Sequence, residues 1–145
     1  MSEQSFQTVS LRVALDRAIA RKSDEYDGEA QRYADQLKGT KLDKTQVRGL
    51  ETLASTTDKV SDITDWLKLR VGRDSERKGW AKEGIGRDLL TTLEGLRGDA
   101  GKIVAELPRD HATDPDLERQ VHLRLCREFL KHLAAHFEYL KAERE

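Results

Sequence analysis

One cysteine, one methionine, two prolines and no apolar run longer than three residues occur in this 145-residue sequence. With Cys126 as the sole cysteine, neither an internal disulfide nor a zinc site built from several cysteines can form within one chain. Runs this short fall well below the roughly 18 apolar residues of a membrane-spanning helix. The opening MSEQSFQTVS has neither the basic region nor the apolar segment of a signal peptide, so a cytoplasmic protein with no membrane partner is expected. Aromatic residues make up only 6% of the chain, and the alternating pattern of β-strands is missing. The core must therefore be lean and helical.

What the sequence does have is charge. Charged and apolar residues each account for 37%, which suits a thin helical bundle with a large solvated surface. The net charge of −1 conceals an uneven distribution. Residues 1–37 carry five basic and seven acidic side chains, residues 38–87 twelve and eight, and the remainder nine and twelve. A positive belt thus lies between two acidic flanks, and a polyanion would be drawn to it.

Helical periodicity recurs four times, which predicts an all-α single-domain bundle of four to five helices over residues 1–145. The first segment spans about residues 10–38, with Leu15, Ile19, Ala30, Tyr33, Ala34 and Leu37 on its apolar face and residues 23–28 as a candidate interruption. Gly39 is expected in a left-handed conformation just past its end. Asp43 and Gln46 have the spacing of a capping box for a second helix from Lys44 to Gly72, carrying Val47, Leu50, Ala54, Val60, Leu67 and Val71. A polar connector, residues 73–79, leads to Trp80 and a third segment that ends before Pro108. In that segment Gly95, Gly98 and Gly101 would let a neighbouring helix approach closely. Asp114 and Pro115 read as the cap and first-turn proline of a last helix, whose core positions step by four through Leu117, Val121, Leu125, Phe129, Leu133 and Phe137.

Chemistry is harder to find. His122, Cys126, His132 and His136 share the last helix, but the zincin pattern is absent and no third ligand is near in sequence, so no metal is expected and the histidines are read as flanking the core stripe. Cys126 falls beside Phe129 and Leu133, where a cysteine acts as a small apolar residue. The acidic pairs Glu25/Asp27 and Asp114/Asp116 read as caps of helix starts. The fragment Gly84-Ile85-Gly86 lacks the remaining parts of a dinucleotide fingerprint, and Arg97-Gly98-Asp99 falls inside a predicted helix. No catalytic residues and no cofactor are expected.

The most informative pattern is a row on the second helix, Lys59, Ile63, Trp66, Arg70 and Arg73, which continues into Arg77, Lys78 and Lys82. A tryptophan flanked by cations can stack on a base while Lys and Arg neutralise phosphates. Lys41, Lys44 and Arg48 form a second basic group at the other end of the same helix, where the helix N-terminus also favours a phosphate. Together these ten residues other than Ile63 are the candidate RNA-binding site. The alternative is that Ile63 and Trp66 widen the core stripe and the cations extend from its edge.

The stretch Leu42-Asp43-Lys44-Thr45-Gln46-Val47-Arg48 resembles the Leu-Thr-x-Ser-Gln-(Ile/Leu)-Arg opening of a helix in the small α-helical subunits of type III CRISPR effector complexes. It departs at Asp43, which keeps the cap. Phe129, Phe137, Glu138 and Tyr139 resemble the ending of that family's last helix. The resemblance implies a non-catalytic subunit of a ribonucleoprotein complex in antiviral defence, which braces guide RNA and target RNA through backbone contacts and packs against larger effector subunits and copies of itself. It makes Lys44 and Arg48 phosphate contacts. Two other readings are a helical protein–protein adaptor that docks through exposed Trp66 and Trp80, and an enzyme with an unfamiliar helical site.

Overall fold

A computed structural model describes residues 3–107 and 115–143, with side chains for residues 10–107 and 115–142. Helix α1 spans Glu3–Lys38, α2 Lys44–Thr56, α3 Val60–Arg73, α4 Ile85–Ala105 and α5 Pro115–Glu143, with a 3-10 turn at Lys82–Gly84 before α4. The chain is an all-α bundle, and no strand occurs among the described residues. The expected stop at Pro108, the loop at residues 109–113 and the cap at Asp114 lie outside them. Pro115 opens α5 as expected.

α5 is the central helix, packed against all four others. Its four-residue stripe puts Val121, Leu125, Phe129, Leu133 and Phe137 entirely out of solvent, with Leu117 partly covered. Phe129 meets Tyr26 and Tyr33 of α1 with ring centroids 5.8 and 6.0 Å apart. The two tyrosines then reach α4, where the Tyr26 hydroxyl donates to Asp99 (2.9 Å) and the Tyr33 hydroxyl lies 2.7 Å from Thr92 Oγ1. Burial, reinforced by Asp99, pushes the Tyr26 phenol far above its ordinary pKa, so it stays a donor.

Four expectations need correction. First, α1 runs unbroken through residues 23–28. The Ser23 hydroxyl is turned to Glu128 (3.0 Å) instead of competing for its own backbone, and Tyr26 and Ala30 anchor this stretch in the core. Glu25 and Asp27 therefore sit within a helix and cap nothing. Second, the turn after α1 is built by Thr40 and not by a left-handed Gly39. The Thr40 hydroxyl donates to the Leu37 carbonyl (2.6 Å) and accepts from the Leu42 N–H (3.1 Å), while Gly84 is the one described glycine with positive φ. Third, Gly95 and Gly98 face open space, and a Cβ on Gly101 would make only ordinary contact with Glu118. The close approach occurs instead at Gly86, where a Cβ would collide with Val71 Cγ2 and lie 2.5 Å from the Trp80 carbonyl oxygen.

The fourth correction matters most. The predicted helix from Lys44 to Gly72 is two helices, broken at residues 57–59. Thr57 is extended (φ −83°, ψ 156°), and its hydroxyl bonds Asp62 and accepts from the Lys59 N–H. Arg127 of α5 donates to the Ala54 and Thr57 carbonyls, both at 2.7 Å, and so takes up acceptors that the end of α2 leaves free. The Asp43–Gln46 capping box at the start of α2 is present in both directions. Because the chain reverses at residues 57–59, the start of α2 and the end of α3 come to the same end of the bundle.

Candidate functional site

At that end lies a half-open slot of about 500 Å³ between α2, α3 and residues 73–80. Its floor is apolar, made by Leu42, Gly49, Trp66, Gly79 and Trp80. Trp80 is 4% exposed and meets Trp66 edge-on, with centroids 5.8 Å apart and planes at 83°. Its indole is a wall, so the adaptor reading loses Trp80 as an exposed anchor. Trp66 is half-buried at the edge of the core, whereas Ile63 on the same row is wholly buried. The supposed continuous row thus divides into a core residue and a rim.

Four cations outnumber the two carboxylates, Asp74 and Glu76, that also line the slot. Arg70 holds its guanidinium 4.7 Å from the Trp66 ring centroid. Lys41, Arg73 and Lys78 complete the rim, with Thr45 and Gln46 between them. Among the described residues no carboxylate forms an ion pair with Lys41, Arg70 or Arg73, while Lys78 lies 3.8 Å from Glu76. Of the ten candidate binding residues, the slot brings together Lys41, Trp66, Arg70, Arg73 and Lys78. Lys44 lies just beyond it, in a shallow depression it shares with Lys41 and Lys141. The other four are elsewhere or committed. Arg48 donates through Nε to Glu138 (2.9 Å), Lys59 sits before α3 and 3.7 Å from Asp62, and Lys82 donates to the Gly39 carbonyl (2.7 Å). Arg77, with φ 56°, lines a separate depression beside Arg87.

Asp74, which the sequence reading passed over, organises the connector. Its carboxylate accepts from the N–H groups of Gly79 (2.9 Å), Ala81 (2.8 Å) and Lys78 (3.3 Å). The Lys41 N–H donates to the Lys78 carbonyl (2.8 Å), which ties this turn to the start of α2. Desolvation opposes the charge on Asp74, but the backbone donors outweigh it and hold the carboxyl below its ordinary pKa. An Asp five residues before a Gly in a polar connector was the available signal.

The sign of that shift yields a test. A depressed pKa stabilises the fold above the unfolded value of about 3.9 and loses that contribution as pH falls through the folded value. Asp74→Asn should cost about 1–3 kcal/mol by weakening these bonds. Hydrogen exchange at Gly79 and Ala81 should accelerate tenfold or more, and the acid-induced loss of protection at these amides should vanish in the variant. Unchanged exchange would show that the connector does not depend on this carboxylate.

A second polar group joins α1 to α5. Ser23 Oγ lies 3.0 Å from His132 Nε2, His132 Nδ1 lies 3.3 Å from Asp27, and His136 Nε2 lies 2.8 Å from the same Asp27 oxygen. The connectivity matches a serine–histidine–aspartate relay. Ser23, however, donates to Glu128 and is 5% exposed in the helix seam, so a substrate carbonyl reaches it only if the helices part. Glu128, desolvated but bonded by Lys131 and Ser23, is held below its ordinary pKa and remains an acceptor. His122 and Cys126 both lie against the Leu93 carbonyl of α4, at 2.9 and 3.6 Å. Burial pushes the Cys126 thiol up to about 12, which keeps it unreactive near neutral pH.

No protein family, curated protein or solved structure compared with this chain matches it.

Proposed function

We propose that this chain is a non-catalytic RNA-binding subunit of a type III CRISPR effector complex, bracing guide and target RNA in antiviral defence. The observation that carries the RNA reading is the convergence of Lys41, Arg70, Arg73 and Lys78 around Trp66 at one end of the bundle. Lys41, Arg70 and Arg73, unpaired by carboxylates among the described residues, beside a planar apolar side chain fit a strand that carries both phosphates and bases. The assignment to this family rests on the resemblance at Leu42 to Arg48 and at the end of α5. Arg48 and Glu138, one from each of those stretches, meet in an exposed ion pair. Such a pair contributes little stability and a phosphate could replace Glu138, but in the free chain Lys41 and Lys44 are the available cations beside the start of α2.

The test is recovery of the tagged protein from its native host at low salt, beside a variant with Lys41, Arg70 and Arg73 changed to Glu. The wild type should bring down large effector subunits and RNA of uniform length, and the variant should lose the RNA while retaining helicity. Because contacts to single-stranded phosphates weaken with salt at a slope of about −0.7 each, three such contacts give a slope of about −2 in log K against log salt. Arg77→Glu should alter neither. Recovery of one protein partner without RNA would favour the adaptor instead.

A further inference from the structure

Extending the RNA-binding reading, on which this step rests, we infer that the slot takes one unpaired nucleotide of a single strand, with its base against the Trp66–Arg70 stack and its phosphate among Lys41, Arg73 and Lys78. The arrangement of the cations is the first argument. A surface that only follows a phosphate backbone needs an extended row of free charges, and among the described residues the candidate row is broken: Arg48, Lys59 and Lys82 are engaged with Glu138, Asp62 and the Gly39 carbonyl, and Arg77 is in another depression. Lys41, Arg70 and Arg73, with Lys78 beside Glu76, instead ring a concavity. Its volume of about 500 Å³ lies within the roughly 300–1,000 Å³ range of sites that enclose a small molecule.

The second argument is the chemistry of the walls. Trp80 supports the Trp66 indole from the edge, and the Arg70 guanidinium covers part of the indole at 4.7 Å. Arg70 is exposed, so its plane offers a stacking surface to a further ring. Bases stack on aromatic rings and on arginine planes alike, because both present a flat face. Lys41 and Lys78 are held at the rim by the bond between their backbones, and Arg73 follows Arg70 by three residues at the end of α3. A planar apolar floor beneath an anion-binding rim matches a molecule that is flat at one end and anionic at the other. Thr45 and Gln46, in the lining, supply a hydroxyl that can donate or accept and an amide NH2 whose oxygen stays with the Asp43 N–H, too few groups to read one base edge, which predicts weak base selectivity.

The experiment uses the full chain at low salt with three labelled probes: a six-nucleotide RNA, the same strand with every base removed, and a free mononucleotide. Binding is followed by anisotropy and by emission of the two tryptophans. The intact strand should quench the emission and bind about tenfold or more tightly than the abasic strand. It should also exceed the mononucleotide by a similar factor, because neighbouring phosphates add contacts. Trp66→Phe should retain binding but lose most of the quenching, and Trp66→Ala should abolish the preference for bases. Equal affinity for intact and abasic strands, without quenching, would overturn this inference and leave the RNA-binding reading standing. A mononucleotide that binds as tightly as the strand would assign the slot to free nucleotides. Anisotropy unchanged by either strand would overturn both.

Discussion

Phe129→Ala is expected to lower the stability of the fold by about 3–5 kcal/mol, the range for removing a wholly buried phenylalanine side chain. Three features place it in the upper half of that range. The ring is completely buried at the middle of the central helix. It is lost from two aromatic contacts, with Tyr26 and Tyr33, each worth about 0.5–1.5 kcal/mol beyond burial alone. The walls of the resulting void are also held open, since both tyrosine hydroxyls are bonded to α4 and cannot follow a collapsing α1 without giving up Asp99 and Thr92. At an m-value of ~2 kcal/mol/M the urea midpoint should fall by about 2 M. Phe129→Leu, which fills most of the space, should cost well under half as much. A loss below about 1 kcal/mol for the alanine variant would mean that α1 and α5 are not joined as described.

Gly86→Ala adds a single carbon and should cost about 3 kcal/mol, at the upper end for overpacking. Of the two atoms nearest the new methyl, Val71 Cγ2 belongs to a side chain that can turn, but the Trp80 carbonyl oxygen at 2.5 Å belongs to the backbone. That carbonyl already accepts from the Gly86 N–H at 2.7 Å, so relief requires breaking the turn that leads into α4. The damage should spread to the slot, because displacing Trp80 removes the edge support of Trp66. The expected signature is a large fall in unfolding midpoint together with, on the proposed function, weakened RNA binding from a residue outside the slot. Gly98→Ala provides the contrast: its Cβ would enter open space on the same helix and should stabilise by up to about 1 kcal/mol. Similar midpoints for the two variants would contradict the close packing at Gly86.

The helices themselves were legible because α5 keeps a strict four-residue stripe and because Asp43 and Gln46 spell their cap. The break at Thr57 was not, since Val60, Leu67 and Val71 continue the apolar spacing of Val47, Leu50 and Ala54 across it. The local cue was Ser55-Thr56-Thr57-Asp58, four short polar residues that compete for backbone partners, but the deciding group, Arg127, lies 70 residues beyond Thr57. No local pattern could supply that contact. The same miss hid the slot: Lys41 and Arg70 were read at opposite ends of one rod, when reversal of the chain makes them neighbours. Gly86 escaped for a related reason, because its constraint comes from Val71 and Trp80 and not from its own segment. The spaced glycines, legible as a pattern, make no close helix approach among the described residues: Gly95 and Gly98 face open space, and Gly101 meets Glu118 of α5 only at ordinary contact distance.

The arginine that caps the α2 turn also sets an order of assembly during synthesis. Everything lining the slot lies between Lys41 and Trp80, so those contacts can begin to form from a nascent chain. Arg127 follows Ala54 by 73 residues, a lag of roughly 4–15 s at about 5–20 residues per second. Through that interval α2 and α3 lack the clamp and the helix that covers their apolar faces, which leaves Val47, Leu50 and Leu67 without that cover. The slot is thus complete in sequence well before the arginine that fastens the turn between its two helices.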